Sequence, residues 1–343
     1  MKNAIKNVIC NSAQNGLIPQ LEFFDKEIAN NENTAGYYII NDGDFVYNPR
    51  KSLNAPYGPV NVYNNSETGI VSPLYLCFSI KDIDKKFLLY RFKSPCWYRY
   101  VYLNGDSGAR HDRVSIKDEV FLSQPVSIPS IAEQEKISEF LGKIEERIST
   151  QNKIISKYES LIKGISKHIV HIACGKTIPL KEVSSIYQPV TITQAELDEN
   201  GQYPVYGANG IIGHYNNYNH ENSQIIITCR GSTCGTVNIS EPFSWITGNS
   251  MVINVDNFED KIDKMYLYYY LKTISFRDLI SGSGQPQIVR KPLLDLIVLL
   301  PELEVQKYYR LIISKIAEKL ENEKEMLSAL QKQKAFLLKA MFI

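Results

Sequence analysis

The chain has 343 residues, enough for about two domains at roughly 150 residues each. Its 44% apolar and 22% charged content suits a globular protein, and 19 Gly with 15 Pro exclude collagen and low-complexity disorder. A net charge of +1 and a pI near 7.5 give no bulk electrostatic mark of a dedicated nucleic-acid binder, whose domains often exceed a pI of roughly 9. No apolar run approaches the roughly 18 residues that cross a bilayer, and the longest, Leu293–Pro301, is strand-sized. The start, Met1–Asn7, lacks the apolar core of a secretory signal. Six cysteines are too few and scattered for a disulfide framework. The expectation is a cytoplasmic protein with reduced thiols and no membrane contact.

In chain order, β-branched and aromatic runs bounded by Gly, Pro and Asn predict strands at Asp44–Tyr47, Leu74–Phe78 and Tyr98–Tyr102. A short helix is expected over Lys85–Phe92. The window Lys85–Arg113 holds seven basic and two acidic residues, a local net of +5. Tyr90, Phe92, Trp97, Tyr98, Tyr100 and Tyr102 interleave with these charges. Such a mixture suits phosphates and base faces. The plainer reading is a strand pair with a solvated basic face. Past the first long helix, strands are predicted at Gln224–Thr228, Ser250–Asn254 and Leu296–Leu299, with a short helix over Lys264–Ile274. No βαβ alternation appears, so the class is α+β.

Two long helices give the clearest local pattern. Ile137, Leu141, Ile144, Ile148, Gln151, Ile155, Tyr158, Ile162, Ile165 and Ile169 are spaced alternately by four and three. That period marks a heptad seam. Adding 172 gives Tyr309, Ile313, Ile316, Leu320, Glu323, Leu327, Leu330, Lys334, Leu337 and Met341, eight of them apolar or aromatic. Gln151 and Glu323 make a polar layer at one repeat position, which can fix register or mark a face turning out of contact. A 40-residue helix over Ile131–Val170 is about 60 Å long, too long to lie on one domain.

The chain is an internal repeat. Pro129 to Gln134 matches Pro301 to Gln306 at an offset of 172, each pair opening a long helix. Ile5-Lys6-Asn7-Val8 matches Leu180-Lys181-Glu182-Val183, and Gly58-Pro59-Val60-Asn61 matches Gly235-Thr236-Val237-Asn238. The two helices are expected to pair with each other in antiparallel fashion, with a domain at either end about a pseudo-two-fold axis. Pairing with a second chain is the alternative.

Familiar catalytic patterns are missing. Ser281-Gly282-Ser283-Gly284-Gln285-Pro286 lacks the Lys of a phosphate-binding loop. Asn48-Pro49-Arg50-Lys51 departs from the Asn-Pro-Pro-Tyr signature of amino-methyltransferases at the residues that would hold a flipped base. His214, His220, Cys229 and Cys234 could be combined into a zinc site, though their spacing and order fit no familiar finger.

The repeat, with Pro-x-x-x-x-Gln opening each long helix, resembles the specificity subunit of type I restriction–modification systems over nearly the whole chain. Ile297–Gln306 and Leu327–Phe342 look like the closing region of that family. Tyr203-Pro204-Val205-Tyr206-Gly207-Ala208-Asn209-Gly210 with Arg230-Gly231-Ser232 looks like one of its target-recognition domains. Gly16–Asp25 through Gly43–Arg50 looks like another. The resemblance implies two β-rich target-recognition domains separated by a long antiparallel two-helix coiled coil: residues 1–127, then the central helix 128–172, then 178–300, then the distal helix 301–343. It implies a chain that is not an enzyme and that reads a bipartite, asymmetric site on double-stranded DNA. It also implies docking of two methylation subunits and of restriction subunits. S-adenosylmethionine, Mg and ATP would sit on those partners, with no cofactor or metal in this chain. The first domain starts only four residues before Ile5, and the N-terminus is taken as complete.

Direct reading of bases needs side-chain donors on loops, Arg for guanine and Gln or Asn for adenine. The candidates are Arg50, Lys51, Arg110 and Arg113 in the first domain, and Arg230, Gln285, Gln287 and Arg290 in the second. Tyr206 and Asn209 are weaker candidates. Two other readings stay open: a scaffold with two protein-binding modules, and a self-sufficient methyltransferase or nuclease.

Overall fold

The structure is a computed structural model that describes residues 7–23, 34, 36–106, 111–172, 175–282 and 284–342. Ile5, Lys6, Phe24, Asp25, Arg110 and Ser283 lie outside these residues. By its contacts the chain divides into two units, Met1–Asn152 with Glu325–Ile343, and Lys153–Lys324.

In the first unit, the hairpin β1 (Ile9–Ser12) and β2 (Gly16–Pro19) leads into the single turn α1 (Gln20–Phe23). There follow β3 (Tyr38–Ile40), β4 (Phe45–Tyr47), β5 (Val60–Val62), β6 (Gly69–Val71) and β7 (Leu76–Phe78). Strand β4 is central, antiparallel to both β5 and β7. Successive side chains of a strand face opposite ways. Phe45 and Tyr47 therefore pack with Phe92, Trp97 and Phe121, and Val46 packs with Ile9, Ile40, Tyr63 and Val71. Helices α2 (Lys85–Lys93), α3 (Tyr98–Asn104) and α4 (Asp118–Leu122) close the first face, and α5 (Ile131–Ile172) follows.

The strand predicted at Tyr98–Tyr102 is helix α3 instead. Its aromatic content favours a strand on propensity, but its burial follows the helical period. Trp97 and Val101, four apart, are each 1% exposed, while Arg99 and Tyr102 face outward. The basic–aromatic window is therefore not a strand pair, and part of its aromatic content belongs to the core. Tyr90, Phe92 and Trp97 are core residues. Arg91 is buried and donates to Gln124 Oε1 at 3.0 Å and to the Pro125 carbonyl at 2.8 Å.

The second unit repeats this plan. Its domain holds β8 (Gly175–Pro179), β9 (Ser185–Tyr187), the hairpin β10 (Tyr203–Gly207) and β11 (Gly210–Tyr215), β12 (Ile225–Thr228), β13 (Val237–Ile239), β14 (Trp245–Ile246) and β15 (Ser250–Asn254). Then come α6 (Lys264–Leu271), the hairpin β16 (Ile280–Ser281) and β17 (Gln287–Ile288), α7 (Arg290–Leu294), β18 (Ile297–Pro301) and α8 (Leu303–Met341). Strand β12 takes the place of β4, antiparallel to β13 and β15. Ile225 and Ile227 face one cluster and Ile226 faces the other. Asn61 pairs with Val46, and Asn238 pairs with Ile226. Before those paired strands, Gly58 and Gly235 share a positive φ of 84° and 90°. A Cβ on Gly58 would stand 2.1 Å from the Asn48 carbonyl oxygen, so the turn requires glycine.

The long helices join each domain through the repeated glutamine. Gln134 donates to the Pro129 carbonyl at 2.8 Å, and its Oε1 accepts from the Asp84 N–H at 2.8 Å. Asp84 caps α2 by accepting from Phe87 N, and it accepts from Ser138 Oγ on α5. Gln306 likewise donates to Pro301 and Lys261 carbonyls, at 2.8 and 3.0 Å, and accepts from Asp263 N at 2.8 Å. Asp263 caps α6 through Tyr266 N and pairs with Arg310 of α8. Both glutamines are almost wholly buried, 1% and 0% exposed.

In the first unit, Leu141 and Ile144 of α5 pack with Leu338 and Phe342 of α8 and with Phe87 and Tyr90. In the second unit, Ile162 and Ile165 of α5 share a cluster with Tyr309, Ile313 and Ala317 of α8. Each described seam residue is buried or half-buried. Lys334, a polar exception in the seam pattern, forms an ion pair with Glu145 at 2.5 Å. Lys93 meets the same carboxylate at 3.1 Å, and Tyr90 Oη donates to it at 2.9 Å. Burial pushes the Glu145 pKa up, but the two lysines outweigh it and hold the carboxyl below its ordinary value.

Candidate nucleic-acid interface

Each central strand runs on into a loop that pairs briefly with a distant segment. In the first domain the loop after β4 carries Arg50. Lys51 N donates to Asp112 O at 2.8 Å and Val114 N donates to Pro49 O at 2.8 Å, which sets Arg50 opposite Arg113. In the second domain the loop after β12 carries Arg230. Gly231 N donates to Pro286 O at 3.1 Å and Ile288 N donates to Cys229 O at 3.0 Å, which sets Arg230 opposite Gln287. The two bridges share one hydrogen-bond pattern, so Arg50 corresponds to Arg230 and Arg113 to Gln287.

A hairpin flanks each bridge. Asn48 Nδ2 donates to Asn11 O of β1 at 3.1 Å, and Asn61 Nδ2 donates to Asn11 Oδ1 at 2.7 Å. Thr228 Oγ1 donates to Ala208 O between β10 and β11 at 2.6 Å, and Thr233 Oγ1 donates to Asn209 Oδ1 at 2.6 Å. Asn48 and Thr228 hold the same place, two residues before the bridging arginine. The two pieces of the Tyr203–Gly210 and Arg230–Ser232 pattern thus come together.

Arg50, Lys51 and Arg113 line a cleft of about 550 Å³ in the first domain. The turn residue Gln14 and the loop residue Asn54 line it as well. Sequence reading missed both, because only the tertiary placement of the β1–β2 turn brings Gln14 to the loop after β4. Arg50 and Lys51 are exposed, and Arg113 is half-buried. Its Nε has no hydrogen-bond partner and lies 4.0 Å from Asp112 Oδ2. In the second domain Arg230, Gln285, Gln287 and Arg290 are all exposed. Gln285 stands on the β16–β17 loop, Gln287 on β17, and Arg290 opens α7. The seven described candidates show no side-chain hydrogen bond to the protein among the described residues. The exposed donors among them are available to a ligand, unlike those of Arg91, whereas Arg113 Nε itself is buried.

Tyr206 does not join this set. It is buried against Ile226, Ile246 and Val252, and its Oη accepts from Glu241 N at 3.1 Å. Asn209 is exposed beside the Arg230 loop. No group of three or more potential metal ligands gathers among the described residues. Both ring nitrogens of His220 are engaged, Nε2 with Tyr187 Oη at 2.8 Å and Nδ1 with Asn219 Oδ1 at 2.6 Å. Burial holds the Cys229 and Cys234 pKa values above their ordinary range, against the thiolate that a metal would take. No helix among the described residues is long and apolar enough to cross a membrane.

Residues 176–332 match the family model of the type I restriction modification DNA specificity domain. Over that stretch, a little under half of its length, the chain is similar to that domain. It is 29% identical over 135 residues to a protein named as a type I restriction enzyme specificity subunit in Haemophilus influenzae, over 37% of this chain and 34% of that protein. It is 26% identical over 118 residues to the EcoprrI specificity subunit of Escherichia coli, over 34% of this chain and 29% of that one. The matched stretches thus span about a third of these relatives. The fold is similar to the crystal structure of a type I S subunit from M. genitalium, with a TM-score of 0.57, 18% identity, and coverage of 88% of this chain and 83% of that one. A second solved chain, from work on complex assembly and conformational transition of the type I R-M system, gives a TM-score of 0.58 at 15% identity, covering 90% and 84%.

Proposed function

We propose that this chain is the DNA-reading specificity subunit of a type I restriction–modification complex and has no catalytic activity of its own. Residues 1–127 and 178–300 form two target-recognition domains, each reading one half of a bipartite, asymmetric site on double-stranded DNA. The helices within 128–172 and 301–343 pair in antiparallel fashion as a coiled coil that measures the unread spacer. Helix packing within each unit supports this, since the start of one long helix meets the end of the other. The carrying observation is the pair of matched bridges, which offer an exposed Arg at one repeat position in both domains, opposite Arg113 in the first and Gln287 in the second. Most contacts of such an interface go to phosphates and sugars, and a minority read base edges. Arg110, outside the described residues, belongs to the proposed set by sequence.

Two methylation subunits and the restriction subunits dock on this chain in the cytoplasm. S-adenosylmethionine, Mg and ATP bind those partners. Sequencing the methylated bases of a host that carries the chain with its partner subunits tests the reading. One motif with two unlike halves and a fixed gap is expected, and scattered methylation without such a motif would refute it. Calorimetry of the chain alone with S-adenosylmethionine is expected to give no binding heat; saturable binding would favour a self-sufficient methyltransferase.

A further inference from the structure

The two bridges carry information beyond the presence of free donors. Residues 50 and 113 make no hydrogen bond to each other, because the bonds flank them at 49–114 and 51–112. In such an antiparallel pair the two Cα atoms lie about 4.5 Å apart and both side chains leave on the same face. Residues 230 and 287 stand in the same relation. Each bridge therefore offers two adjacent side chains as a unit. Like charges directly opposite each other destabilise a strand pair. Arg50 and Arg113 are such a pair, and Asp112 reaches Arg113 Nε at 4.0 Å. Among the described residues that long contact is the ion pair this arginine couple makes, which leaves the couple suited to the acceptors of a ligand.

We infer that these cross-strand pairs are the specificity pairs of the two domains, and that their second members set the difference between the half-sites. The inference rests on the DNA-reading function proposed above. Arg50 and Arg230 make the common contact. Arg113 demands guanine, whose O6 and N7 both accept in the major groove. Gln287 demands adenine, whose N7 accepts and whose N6 amino group donates. The second domain can use Gln there because it meets an Arg rather than doubling one.

The test exchanges the second members in the full chain, in complex with its methylation subunits. For Arg113→Gln, one guanine of the first half-site is expected to become adenine in the methylation motif. For Gln287→Arg, one adenine of the second half-site is expected to become guanine. Binding of each complex to a panel of duplexes, with all four bases in turn at each motif position, gives a second readout. A change in base preference of about ten-fold or more is expected at a single position. Arg113→Lys should keep guanine preference with weaker binding. An unchanged motif, a change in the other half, or equal weakening on every duplex overturns the pairing while the DNA-reading function stands. A wild-type complex with no sequence preference overturns the function itself.

Discussion

Lys51 and Gly231 hold corresponding places beside the two bridging arginines, where any residue but proline can supply the backbone hydrogen bond. Each N–H donates across the bridge, but only Lys51 adds a charge beyond it. A flexible ammonium is a point charge suited to phosphate rather than to a base edge. Lys51→Ala is expected to weaken binding by a similar factor on all duplexes and to lower the salt slope by about one, as salt titrations of binding will report. Arg230→Ala is expected to cost about 1–3 kcal/mol at its own half-site and to relax recognition there, leaving the other half unchanged. Equal loss on every sequence would reassign it to phosphate. The chemical type of these residues was legible in the sequence, since exposed donors between strands are few in kind. Their pairing was not. Arg50 meets Arg113, and Arg230 meets Gln287, across long stretches of chain, and no local period encodes a bridge one residue long. Tyr206 shows the converse error, a polar handle on a residue whose ring the core needs.

At the scale of elements, the repeated Pro-x-x-x-x-Gln is a joint as well as a marker. Gln134 and Gln306 each tie the opening turn of a long helix to the capped N-terminus of a short one in the domain. Gln134→Leu leaves a half-buried N–H and a half-buried carbonyl without that partner, a loss of about 1–3 kcal/mol that chemical denaturation will register. Ser130→Ala removes the side-chain contact to Glu133 at the same helix start, where a cap is worth about 1 kcal/mol. A larger loss for Ser130→Ala than for Gln134→Leu would argue against the joint. Glu145 gives a pH prediction. Its folded pKa is depressed, so its contribution is present above the ordinary glutamate value of about 4.3 and is lost as pH falls through the folded value. Glu145→Gln should therefore lower the melting temperature at pH 7 and lose that effect in acid. The long helices were readable because a seam of period 3.5 runs through them. The segment Tyr98–Tyr102 misled because five residues are too few to separate an aromatic strand from an aromatic helical turn, and only burial of Trp97 with Val101 decides it.

For the whole molecule, the proposed function makes the spacer a matter of helix length. One heptad added to both α5 and α8 lengthens each by about 10 Å, or about three base pairs of duplex at 3.4 Å each. The methylation motif is expected to keep both halves and widen its gap accordingly; an unchanged gap would refute the ruler. The ion pair of Glu145 with Lys334 has a further consequence, for the partnership of the duplicated halves. The repeat offset of 172 carries Glu145 to Ala317 and Lys334 to Ile162, and both of these sit in the apolar cluster of the second unit. Two copies of the first half, mated head to tail, would set the carboxylate against isoleucine, and two copies of the second half would set the ammonium against alanine. Glu145 keeps Lys93 in either case, but only the unlike combination gives Lys334 its carboxylate. Severed halves made together in one cell should therefore complement each other in preference to selfing, which makes the two halves non-interchangeable mates.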